Sequence, residues 1–214
     1  MIRYIFIWLL SIGAINMAWA QEDAYAKKIL DEVSKKYDAY TTVQADFSFK
    51  VDQVEGQDYS DQGIIYMNKP KKQYQIVLKD QDLISDGQSV WSILKEEKEV
   101  QITEADNSSS AIGPNNIFTF YKQGFKYISR DDERVNGEIL KVIELSPIDT
   151  KQNYFKIKLR INAKNHIHDV LIFDKSGAKY TYTINTLYVN HKISANTFQF
   201  DKKKYTGFEI VDLR

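Results

Sequence analysis

The chain has 214 residues with 29 basic and 29 acidic side chains, so no field of one sign steers it to nucleic acid or to an anionic membrane surface. Cysteine is absent, which excludes disulfide frameworks, cysteine zinc sites and the acylated cysteine that anchors a secreted lipoprotein. Three prolines, nine glycines, no Gly/Ser linker and no internal repeat point to one domain.

Residues 1–20 read as a cleaved signal peptide: Arg3 is the positive start, Tyr4 to Ile15 a short apolar run, and Ala18, Trp19 and Ala20 a small-x-small cleavage site. That run is shorter than the roughly 20 residues a membrane span needs. The expected mature chain, 21–214, is then a single exported soluble domain with 28 basic against 29 acidic groups.

A helix opens it. Ala26, Ile29, Leu30, Val33, Tyr37 and Tyr40 fall at three- and four-residue spacings with charged residues between them, giving one apolar stripe that needs a partner surface. The period then changes to two, with Val43, Ala45, Phe47, Phe49 and Val51 alternating with polar residues along a half-buried strand. Further strands are expected at 63–67, 74–78, 83–85, 90–94, 100–103, 125–130, 139–145, 154–161, 167–173 and 179–189. Turn chemistry at Asp86-Gly87, Asn136-Gly137, Asn162 to Asn165 and Ser176-Gly177 makes neighbours antiparallel. So many meandering strands exceed what an open twisted sheet holds comfortably, and the fold class expected is mainly β with α, a curled antiparallel sheet forming an incomplete barrel.

In the hairpin LISDGQSVWSI, Ser89, Trp91 and Ile93 share a face that we expect to point inward. A closed core and a cavity for a greasy ligand both account for that. The meander is interrupted from Glu104 to Gly124, where Pro114 precedes a short helical run of Ile117, Phe118, Phe120 and Tyr121. This run is either a plug over one mouth of the barrel or a mobile lid.

The common enzyme signatures are missing: the chain has no G-x-S-x-G elbow, phosphate-cradling G-x-x-x-x-G-K loop, H-E-x-x-H or EF-hand loop. His166 and His168 stand two apart after a turn with no third histidine nearby and read as solvent-facing. The acidic triple Asp131, Asp132, Glu133 reads as a solvated loop, and Lys202 to Lys204 as a wet edge. No catalytic residue, metal or cofactor is expected, and no nucleic acid.

Three segments stand in order: Ala45-Asp46-Phe47, then GIIYMNKP from Gly63 to Pro70, then LISDGQSVW from Leu83 to Trp91. With the leader, the opening helix, the missing cysteine and the FKIKL strand at Phe155, the chain resembles the periplasmic lipoprotein carriers of the LolA family over most of its mature length. The resemblance implies a soluble periplasmic monomer that shelters lipoprotein acyl chains beneath a helical lid. It would receive them from an inner-membrane, ATP-driven lipoprotein-releasing complex and hand them to an outer-membrane lipoprotein receptor. On that reading Phe47, Phe49, Tyr66, Tyr74, Ile76, Trp91 and Ile93 line the cavity, while Ile117, Phe118, Phe120 and Tyr121 form the lid. The family generally carries an arginine before the proline of the second segment, which latches the lid. Lys69 stands there in this chain, a compact ammonium in place of a five-donor fork. A lipid-sensing regulator, or a carrier of another envelope lipid, is the alternative on the same fold.

Overall fold

The computed structural model describes residues 23–105 and 112–214, so the leader lies outside the described residues. One helix, α1 (Ala24–Asp38), precedes twelve strands: β1 (Thr42–Asp52), β2 (Tyr59–Asn68), β3 (Gln73–Val77), β4 (Gln81–Ser85), β5 (Ser89–Leu94), β6 (Glu99–Glu104), β7 (Phe125–Val135), β8 (Glu138–Pro147), β9 (Tyr154–Ile161), β10 (Ile167–Asp174), β11 (Lys179–Val189) and β12 (Glu209–Asp212). They form one sheet in the order β12-β6-β5-β4-β3-β2-β1-β11-β10-β9-β8-β7, with both ends open. All neighbours are antiparallel except β12, which runs parallel to β6. The sequence did not announce β12, a four-residue strand too short to show a period.

The order describes two meanders joined at the centre through β1 and β11. The first runs outward from β1 to β6; the chain then resumes at the opposite edge with β7 and returns to β11. The segment between β6 and β7 must therefore span the sheet from edge to edge. The tail after β11 must travel from the centre back to the edge at β6, where β12 pairs. One crossing goes over each face. Ile117, Phe118 and Tyr121 pack with α1 on one face, here called the inner face, whereas Phe200, Tyr205 and Phe208 pack on the other.

The helix begins where Asp23 accepts the backbone N–H of Ala26 at 2.9 Å, satisfying a donor in the first turn. The same carboxylate accepts the backbone N–H and hydroxyl of Ser129 on β7 at 2.8 and 2.6 Å, which fixes the start of α1 to an edge strand. These bonds hold the Asp23 carboxyl at about 2, below the ordinary range. The stripe Ala26, Ile29, Leu30, Val33 and Tyr37 is buried as the spacing requires. At the far end the Tyr37 hydroxyl accepts the N–H of Ile167 at 3.2 Å, at the start of β10. One apolar cluster joins α1 to residues of β1, β2, β3, β8, β9 and β10, strands that lie up to six positions apart in the sheet. At about 4.8 Å per strand such residues would be far apart on a flat sheet, so the sheet curls around the helix.

Candidate functional site

Pairing decides which side chains face the helix. Ala45 stands opposite Ile65, and Ile65 opposite Ile76, so the inner face takes Val43, Ala45, Phe47 and Phe49 from β1, Ile65 and Met67 from β2, and Tyr74 and Ile76 from β3. Of the seven expected cavity residues, Phe47, Phe49, Tyr74 and Ile76 share this face. Tyr66, Trp91 and Ile93 do not.

Tyr66 pairs with Gln44 and Gln75 on the outer face. Its strand reads Ile64, Ile65, Tyr66, Met67, apolar on both sides, so the phase is set only by the partner strand. The β4–β5 hairpin places Ser85 opposite Val90 and Ile84 opposite Trp91, which sends Val90 inward and both Trp91 and Ile93 outward. There Ile84, Ile93 and Val100 form a second core, with Trp91 stacked on Phe200 at 5.7 Å and Phe200 on Tyr205 at 5.3 Å. The inward expectation for Trp91 and Ile93 fails because this sheet is apolar on both faces here, and a distant tail covers the second.

The two quoted segments have other work. A Cβ on Gly63 would stand 2.8 Å from the Phe47 ring and from the Val77 carbonyl oxygen, so glycine is what lets Phe47 lie flat across β2. Gly87 adopts φ +97°, and a Cβ there would meet the Lys71 carbonyl oxygen at 2.6 Å. The Asp86-Gly87 turn, closed by Asp86 Oδ1 accepting the N–H groups of Gln88 and Ser89, thus supports the loop that carries Lys69 to Lys72.

The expected lid is a hydrogen-bonded turn followed by a single 3-10 turn, Phe120–Lys122, not an α-helix. Ile117, Phe118 and Tyr121 are 2 to 3 % exposed and belong to the main core; Phe120 is half-buried. The Phe118 ring stacks on Tyr37 at 4.8 Å, the Ser34 hydroxyl lies 3.5 Å from that of Tyr121, and Lys122 pairs with Asp38 at 2.5 Å. Every one of these contacts is to α1. Lys69 also reaches α1: its ammonium donates to the Tyr37 carbonyl oxygen, in the last turn, and not to the backbone of 117–121. Burial pushes the Lys69 ammonium down, Asp38 opposing.

Beyond the reach of α1 the inner face carries a groove of about 410 Å³ lined by Phe49, Ile112, Tyr154, Ile172, Tyr180 and Tyr182. Phe49 stacks on Tyr182 at 4.6 Å and on Tyr180 at 6.3 Å. Burial raises the Tyr182 hydroxyl to about 12, while Gln152, Asn153 and Asp174 add polar groups to the rim. A second cavity of about 330 Å³ adjoins it, sharing Ile112, Gln152 and Tyr154 and adding Phe120 and Phe125. The sequence reading missed Tyr154, Ile172, Tyr180 and Tyr182. The alternation of Tyr180, Tyr182 and Ile184 with threonines and Asn185 in β11 was the available signal. His168 Nδ1 lies 2.7 Å from Asp169, and His166, beside Tyr37 at the end of α1, has its Nε2 2.8 Å from the Tyr40 hydroxyl; both are half-buried where a wet position was expected. Glu133 leaves the acidic triple to meet Lys158 at 2.6 Å and Arg160 at 3.1 Å. No group of three or more potential metal ligands exists among the described residues.

The family model for the outer membrane lipoprotein carrier protein LolA matches residues 38–201. The chain belongs to the LolA family. The likeness to solved structures rests on the fold: an uncharacterized conserved protein from Thermus thermophilus is 11 % identical, with 88 % of this chain and 99 % of that one covered and a TM-score of 0.59. MucB is 12 % identical over 88 % of this chain and 66 % of its own, with a TM-score of 0.50. A LolA superfamily protein from Nitrosomonas europaea is 12 % identical over 83 % and 98 %, with a TM-score of 0.43. No curated protein matches the sequence. Among the described residues no helix is long and apolar enough to cross a membrane. A LolA-family sheet that stays open, with its helix and crossing segment on one face, is thus what the chain forms.

Proposed function

We propose that the protein is a soluble periplasmic carrier that shelters the acyl chains of lipoproteins and shuttles them from the inner to the outer membrane. The observation that supports this is the aromatic groove on the inner face, roofed at one end by a turn whose ion pair and ring stack are made to α1. Phe49 lines it from the first meander and Ile172, Tyr180 and Tyr182 from the second, while Phe47, Tyr74 and Ile76 share the inner face and would meet an acyl chain only once the lid is displaced. Its donor is an inner-membrane ATP-driven releasing complex and its acceptor an outer-membrane lipoprotein receptor.

The energetics suit such a role. Burying one methylene contributes about 0.8 kcal/mol, so a 16-carbon chain left in water is opposed by on the order of 10 kcal/mol. Lifting Ile117, Phe118 and Tyr121 out of the core exposes three side chains at about 2 kcal/mol each, on the order of 6 kcal/mol in all. One acyl chain therefore offsets displacement of the lid and leaves a modest surplus, which lets cargo be surrendered. Lid anchors and cargo compete for the same apolar face, and binding shifts the closed population to the open one.

Titration of the mature protein with a triacylated peptide, against the same peptide without acyl groups, tests this. Saturable binding of the acylated form alone is expected, and Tyr182→Ala weakens it at least about fivefold by removing a buried ring. Equal and negligible binding of both peptides refutes the carrier.

A further inference from the structure

On the other side of the lid turn lies a pocket of different chemistry, about 270 Å³ in volume. Its floor is Met67 and Tyr74, inner-face residues that pack against the main core. Its walls include Lys69 and Lys72 from the loop after β2, Asn68 and Gln73 from the strand ends that flank that loop, and Asn115 from the lid. Asn116 lines both this pocket and the apolar cavity beside Phe120, so the two meet at the lid turn.

Two lysines border it, Lys69 partly buried and Lys72 exposed. Lys95 and Lys158, also partly buried, each face a carboxylate within 2.8 Å, whereas Lys36 donates to the Lys164 carbonyl. Among the described residues Lys69 and Lys72 form no ion pair, and Lys69 has only a neutral carbonyl as acceptor, which engages one of its three donors. Burial lowers the affinity of Lys69 for its proton, as expected of a cation short of an anion. The loop is also held in place: Lys72 sits at φ +54°, its N–H bonds the Lys69 carbonyl at 3.0 Å, Gln73 Nε2 donates to the Asp86 carbonyl at 3.3 Å, and Gly87 abuts Lys71. Two ammonium groups on a fixed loop, flanked by side-chain amides, suit an anion with several acceptor oxygens.

We propose that this pocket takes the phosphate headgroup of an anionic amphiphile whose acyl chain lies under the lid, between Met67 and Tyr74 and the apolar cavity beyond. The proposal rests on the acyl-binding part of the carrier reading and adds a second cargo class beside the triacylated peptide, whose terminus carries no phosphate. It assigns the loop a recognition role, with Lys72 as the residue that contacts the anion and Lys69 shared between the anion and α1.

Calorimetry on the mature protein tests it with three probes: 16-carbon lysophosphatidic acid and the matching monoacylglycerol, both below their micelle concentrations, and inorganic phosphate alone. The charged lipid is expected to bind about tenfold tighter than the uncharged one, as one charge-assisted hydrogen bond provides, and the ratio shrinks as salt rises. Lys72→Gln brings the ratio within about twofold, whereas Lys202→Gln, on the tail, keeps it. The wild-type ratio and its salt dependence stand even if a variant misfolds. Equal affinity for the two lipids overturns the headgroup pocket and leaves the acyl reading intact. Binding of neither lipid overturns both. Inorganic phosphate bound as tightly as lysophosphatidic acid makes the site one for a free anion and overturns the lipid source.

Discussion

Lys69 stands where the family generally has arginine, and its single ammonium holds the last turn of α1 through the Tyr37 carbonyl. Lys69→Met removes a charge-assisted donor and leaves that carbonyl only the Tyr40 N–H, at 3.2 Å, so thermal unfolding followed by circular dichroism should show a loss of about 1 kcal/mol. Lys69→Arg should retain the bond. At the other end of the helix Asp23 caps α1 and ties it to Ser129. Its carboxyl is depressed from 3.8 to about 2, first by the Ser129 hydroxyl, so the folded state binds fewer protons than the unfolded one in that window. The stability it contributes is present above pH 3.8 and is lost as pH falls toward 2. Urea midpoints of wild type and Asp23→Ala should therefore differ at about pH 5 and converge in strong acid. His166, depressed by burial, has the same sign at higher pH: its share is present above 6.5 and drains away below it.

Among the elements, α1 and the lid are held in different ways. The helix is tied to the sheet at both ends by Asp23 with Ser129 and Tyr37 with Ile167, and near its end Tyr40 meets His166. The lid meets α1 through Tyr121 with Ser34 and Lys122 with Asp38, and the latter, its one ion pair among the described residues, is half-exposed and screened. Apolar packing does most of the holding, by Ile117, Tyr121 and above all Phe118, which stacks on Tyr37. Phe118→Ala should cost about 3–4 kcal/mol of the closed state, and hydrogen exchange should accelerate at the amides of 116–122 before those of α1 or β1. Uniform acceleration across the whole chain would instead make the turn a fixed plug. The opening helix and most strands were legible because their periods are long and regular. The lid was legible as an interruption with an aromatic run, but its helix was not real: a turn and a half of backbone has too few internal hydrogen bonds to settle into α geometry.

At the scale of the whole molecule the chain crosses its own sheet twice, and the two crossings have different consequences. The segment of 112–124 covers the face that, on the proposed function, a ligand shares, whereas the tail covers a face built as a second core, with Ile93 and Val100 fully buried beneath Trp91, Phe200 and Tyr205. Ending the chain after Asn190 uncovers these residues and the β6 edge together. We expect a loss of about 5 kcal/mol or more, and aggregation visible by light scattering, with the inner face formally untouched. Deletion of the tail without either effect would show that the second core is dispensable. The sequence by itself determined the helix, eleven of the strands, the turns between them and the family, because each is written in local periods, turn residues or short motifs. Only the tertiary structure decided which face Tyr66, Trp91 and Ile93 occupy and which residues line the groove. A strand that is apolar on both sides takes its phase from its neighbours, and the tail that makes the second side apolar lies about a hundred residues away.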